Sequence, residues 1–69
     1  MRVINGFTVI AHRETGDDFV LLAVREANFT KSGFEYVTAQ TSDLANAHWY
    51  LGHYYGDLDT AVSDFKHRS

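Results

Sequence analysis

At 69 residues the chain is one small domain (1–69), and without cysteine it has neither disulfides nor thiolate zinc to staple a modest core. Nine carboxylates against six Lys and Arg give a net charge of −3, the wrong sign for a dedicated phosphate-backbone binder. No apolar run approaches the ~20 residues of a membrane span. Met1–Gly6 also lacks the apolar core of a signal peptide, so a soluble, cytoplasmic protein is expected.

Val3 to His12 alternates like a strand, with Phe7, Val9 and Ala11 pointing one way and Thr8, Ile10 and His12 the other. Asn5-Gly6 inside it suits a tight turn or a bulge. The polar run Glu14–Asp18 is a hairpin connection to a second strand, Phe19–Glu26. That strand is apolar on both faces at its centre, as a strand covered on both sides requires. Ala27–Gly33 is a further polar turn, and Phe34–Ala39 a third strand with Phe34 and Tyr36 opposite Val37.

Gln40–Ala47 is the least regular segment, compatible with a short capped helix or with a loop. Residues 49–55 read as a fourth strand. Alternation places Trp49, Leu51, His53 and Tyr55 beneath a helix and shows Tyr50, Gly52 and Tyr54 to solvent. Gly52 and Gly56 mark a bulge and the strand end. From about 57 to 67, Leu58, Ala61, Val62 and Phe65 share a face at helical spacing, behind a capping Asp57 and ahead of Lys66, His67 and Arg68. The expected fold is α+β: an antiparallel meander of three or four strands with one C-terminal helix on one face. The other face is then left for solvent, a second copy or a partner.

Chemistry-bearing patterns are sparse. His48 and His53 are five residues apart, which puts them on opposite sides of a strand or about 140° apart on a helix. No metal, cofactor or catalytic set is assigned. Asp17-Asp18 is turn chemistry and Asp57 with Asp59 is helix capping. "SGFEYVTA" (32–39) matches the aromatic strand of RNA-recognition modules at Gly33, Phe34, Tyr36 and Val37. It departs from that strand at Ser32, Glu35 and Ala39, and a carboxylate there repels phosphate. Surplus aromatics beside carboxylates fit protein contact instead: Tyr and Trp supply rigid contact area, and acidic groups complement a basic groove. The candidate partner-binding residues are Tyr50, Tyr54, Trp49 and Tyr36, with Glu14, Asp17, Asp18 and Asp43.

The C-terminal stretch "WYLGHYYGDLDTAVSDFKHR" resembles small accessory proteins of Gram-positive phages and prophages. The matching positions are Gly52, His53, Tyr54, Tyr55, Asp57, Leu58, Ala61, Val62, Asp64, Phe65 and Arg68. "VINGFTVIA" and "EYVTA" are similar too, so the likeness touches most of the chain, though its motif is structural. Some members of this class are anti-CRISPR or other anti-defence inhibitors. The resemblance implies a non-enzymatic binder that occupies a host protein, a Cas nuclease or another defence effector. Two further classes remain: a nucleic-acid-binding accessory using the sheet aromatics, and a structural homodimer.

Overall fold

The computed structural model describes residues 2–45 and 48–68. Five antiparallel strands form one sheet in sequence order: β1 (Val3–Ile4), β2 (Phe7–Thr15), β3 (Asp18–Glu26), β4 (Phe34–Thr41) and β5 (Tyr50–Tyr55). The helix α1 (Leu58–His67) follows. The α+β class and C-terminal helix are as expected, but the strand count exceeds the three or four anticipated. The difference arises at Asn5-Gly6. With φ of 53° and 84° the pair makes a two-residue turn that splits the first strand and pairs Ile4 with Phe7.

The β2–β3 turn pairs Thr15 with Asp18, and β3 runs alongside β4 in unbroken register from Phe19–Thr41 to Glu26–Phe34. Two bulges break the simple alternation. In β2 the register shifts between Val9 and Ala11, so Ala11 lies on the face opposite Phe7 and Val9 rather than beside them. The second bulge is in β5. Where a helix or loop was open for 40–47, residues 42–45 form a turn, fixed by the Asp43 carboxylate accepting from the Ala45 amide at 2.9 Å. Asn46 and Ala47 lie outside the described residues.

α1 packs through Ala61, Val62 and Phe65 onto Ala11, Leu22, Val24, Tyr36 and Tyr55. The other face is not left open. It buries Ile4, Phe7, Leu21, Ala23, Val37 and Ala39, with Val9 and Trp49 against them. β2 and β5 are three strand spacings apart, about 14 Å on a flat sheet. Yet the Phe7 ring centroid lies 5.7 Å from Trp49 and 6.0 Å from Tyr54. The sheet therefore curls, and Phe7 fills the hollow. This explains why Val20 to Ala23 is buried along its whole length. Among the described residues, no helix is long and apolar enough to cross a membrane.

Candidate interaction surface

β5 is an edge strand; of the other strands and the helix, β4 and α1 are its neighbours. Tyr54 stands opposite Val37, and Tyr50 opposite Gln40, three residues further along an unbroken strand. Three is an odd step, so the two tyrosines face opposite sides of the sheet. The expected sharing of one face by Tyr50 and Tyr54 is thus corrected. The reason is the bulge: Tyr50 to His53 spans three residues where β4 spans two, with Leu51 at φ 54°. The same bulge puts Trp49 away from the helix, against Phe7, rather than beneath α1.

What β5 presents outward is large and apolar. Leu51 is 61% exposed, Tyr54 53% and Tyr50 42%. The Tyr54 ring lies back over Gly52, its hydroxyl 3.3 Å from where a Cβ on that glycine would stand. A branched or leucine side chain in left-handed backbone is strained, and such strain clusters at binding and switch sites. Leu51 combines that strain with the greatest exposure on the strand.

The acidic candidates gather at one end of the sheet. Glu14 pairs with Phe19, Thr15 with Asp18, and Phe19 in turn with Thr41, so the β2–β3 turn and the end of β4 are neighbours. Asp43 follows two residues after Thr41, whose hydroxyl donates to the carbonyls of Asp43 and His48. The Tyr50 hydroxyl donates to the Asp18 carboxylate across this end. That bond, with partial desolvation and the nearby charge, raises the Tyr50 pKa. Glu14, Asp17, Asp18 and Asp43 therefore lie toward the same end of the sheet, and Asp18 is the one bonded to β5, through the Tyr50 hydroxyl reaching across β4. Tyr36 is set apart: at 9% exposure it lies between sheet and helix and serves as core.

A polar seam joins the helix to β4 and β5. Asp64 accepts hydrogen bonds from the buried Thr38 hydroxyl and from Tyr55, and pairs with His53 Nδ1 at 3.4 Å. Partial burial opposes its ionisation, but those bonds and the nearby Arg68 outweigh it and hold the carboxyl below its usual range. Arg68 donates to the Leu51 carbonyl and to Thr38 Oγ1, the latter at 3.3 Å. Arg13 reaches from β2 to the Phe65 carbonyl at 2.8 Å and to the Arg68 carbonyl. The helix end and the β5 bulge are thus stitched together.

Neither a family model nor a curated protein nor a solved structure matches this chain. The surface must be read from its own chemistry. Among the described residues, no group of three His, Cys, Asp or Glu is placed to hold a metal ion. At the far end of the sheet, Arg25 lies over the Phe7 ring at 4.9 Å and pairs with Glu35 at 2.5 Å. Its other side faces Phe29 at 5.9 Å, on the tip of the 27–33 turn and 68% exposed. Sequence reasoning placed Leu51 beneath the helix, where the bulge instead leaves it 61% exposed, and passed over Phe29 and the Arg25 stack. The composition of "YLGH" hints at an irregular strand, but nothing in it shows that the leucine takes the positive φ.

Proposed function

We propose that this protein is a small, non-enzymatic protein-binding inhibitor of phage or prophage origin. It acts in the bacterial cytoplasm by occupying a nucleic-acid-handling defence protein such as a Cas effector. The observation that carries the reading is one of adjacency. The Tyr50–Asp18 bond ties an edge strand with exposed Tyr50, Leu51 and Tyr54 to the end of the sheet that also carries Glu14, Asp17 and Asp43. Aromatic anchors supply the hot-spot contacts of protein interfaces, and flanking carboxylates favour a basic, nucleic-acid-binding surface while repelling nucleic acid itself. The resemblance of residues 49–68 to phage accessory proteins supports the same class.

The test is inhibition in trans. Immobilised protein is expected to capture a nucleic-acid-processing protein from a Gram-positive host lysate. Added to that purified target, it is expected to suppress nucleic-acid binding or cleavage. Tyr54→Ala should weaken the inhibition about ten-fold or more with an unchanged circular dichroism spectrum. Full potency in that variant, or no effect on any captured nuclease, defeats the proposal.

A further inference from the structure

We infer that β5 is a two-register strand: the bulge at Leu51 and Gly52 is one of two pairings open to residues 49–51, and the Arg68 guanidinium is the latch that holds it. The register is a property of the free chain; its effect on binding rests on the interaction surface proposed above.

Three observations lead there. First, the bulge is strained and local. Between the pairs Thr38–His53 and Gln40–Tyr50, Ala39 alone faces both Leu51 and Gly52. The residue at φ 54° is the leucine, not its glycine neighbour. Secondly, the sequence does not choose between the pairings. Without the bulge, the register of Tyr54–Val37 and His53–Thr38 continues: Gly52 opposes Ala39, Leu51 opposes Gln40, and Tyr50 opposes Thr41, the last residue of β4. A one-residue step of this kind exchanges the faces of residues 49–51. Thr41 keeps step with Val37 and Ala39 on the Phe7 side, so Tyr50 enters the hollow that Trp49 now fills. Leu51 turns to the side of the helix. Trp49, Tyr50 and Leu51 are three large side chains in a row, two of them aromatic, so the hollow receives a ring in either register.

Thirdly, the bonds that distinguish the two pairings come from outside the strand. A bulge leaves its extra residue without ladder partners, and here Arg68 donates to the Leu51 carbonyl. Arg68 is itself held in place: its guanidinium donates to Thr38 Oγ1 at 3.3 Å, and its carbonyl accepts from Arg13 of β2. At the start of the strand the Tyr50 hydroxyl donates to Asp18, a bond lost when Tyr50 changes face. The present register therefore depends on the docked end of α1. With Arg68 in place, Tyr50, Leu51 and Tyr54 are all exposed. Release of that end frees the Leu51 carbonyl, residues 49–51 step by one, and two of the three contacts leave the surface while Tyr54 stays.

The experiment is NMR on the whole chain and three variants. Leu51→Ile keeps the apolar volume but disfavours positive φ through its β-branch, Leu51→Gly accepts positive φ, and Arg68→Met keeps an unbranched chain without the guanidinium. In Leu51→Ile the Phe7 ring contacts are expected to move from Trp49 to Tyr50, with new cross-strand contacts from 51 to 40 and from 50 to 41. Phe65 should stay packed on Leu22 and Tyr36. In the wild type, relaxation dispersion at residues 49–53 should report a minor state with the shifts of Leu51→Ile. Arg68→Met should raise its population about ten-fold, and adding Leu51→Gly should return it to the wild-type level. The bulged contacts retained in both Leu51→Ile and Arg68→Met, with no exchange at 49–53 in the wild type, would overturn the inference. So would loss of every cross-strand contact of 49–52 in Arg68→Met, which makes Arg68 a structural tie rather than a latch. Should Leu51→Ile fail to fold, the wild-type dispersion and Arg68→Met decide. A register change in Leu51→Ile with undiminished inhibition of a captured host protein upholds the two registers and removes Tyr50 and Leu51 from the binding surface. Inhibition by a chain that shows one register in every variant ends this inference and leaves the inhibitor reading standing.

Discussion

Leu51 is the residue on which the surface turns. Its φ of 54° costs roughly 1–2 kcal/mol for an L side chain, against roughly 0.5–1 kcal/mol of chain entropy lost by a glycine. Leu51→Gly is therefore expected to stabilise the fold by up to about 1 kcal/mol, raising Tm by about 4–8 °C. The same change deletes an exposed apolar contact, so binding should weaken as stability rises. A thermal melt alongside a binding titration reads both, and a loss of stability would remove strain from the account. At the next position, Gly52→Ala pushes a methyl against the Tyr54 ring. That ring is exposed and can swing away, so the expected outcome is weaker binding with little change in Tm. Little of this was legible beforehand: alternation predicted the identities of the strand residues but not the extra residue that reversed Tyr50 and Trp49.

The helix was the most legible element. Its apolar face at Ala61, Val62 and Phe65, capping Asp57 and cationic last turn reappear, with Asp57 accepting from the Thr60 amide at 2.9 Å and its hydroxyl at 2.7 Å. Leu58, expected on the same face, stays 43% exposed in the first turn. What spacing did not reveal is the seam that docks it, because Thr38, Tyr55, Asp64 and Arg68 come together only once the sheet has formed. The seam makes a pH prediction. The Asp57 carboxyl is lowered by the Thr60 hydroxyl and then its amide, and Asp64 is lowered on balance despite partial burial. Groups with depressed folded values stabilise the fold above their unfolded pKa, about 3.9 for Asp. That stability is lost as pH falls from there through the lower folded value. Asp64→Asn, which still accepts the Thr38 bond, should flatten the acid limb of a denaturant-midpoint-versus-pH curve. An equally steep limb would show that Asp64 does not link helix docking to protonation.

For the molecule as a whole, the sheet curl decides what is core. A flat meander with one helix has one buried face; this one has two, because Phe7 meets Trp49 and Tyr54 across the hollow. The apolar centre of β3 announced double coverage, yet the sequence named only one covering element, and two bulges with a two-residue β1 supply the rest. Leu21, fully buried on the side away from the helix, tests this. Leu21→Ala should cost about 2–5 kcal/mol, enough to unfold much of a domain this small. Trp49 fluorescence would report it, and a loss under about 1 kcal/mol would mean that this face is not packed.

The Phe7 contacts also bear on how the chain reaches its fold. They join residues 42 and 47 positions apart in a sequence of 69, by subtraction from Trp49 and Tyr54. Loop closure on that scale is paid for before the contact returns anything, so the hollow closes late. During synthesis β1 to β4 emerge with Phe7, Leu21 and Val37 uncovered until residues 49–54 follow them. Folding of this protein therefore waits on residues 49–54, and replacing Trp49 and Tyr54 removes the cover of the second face of the core.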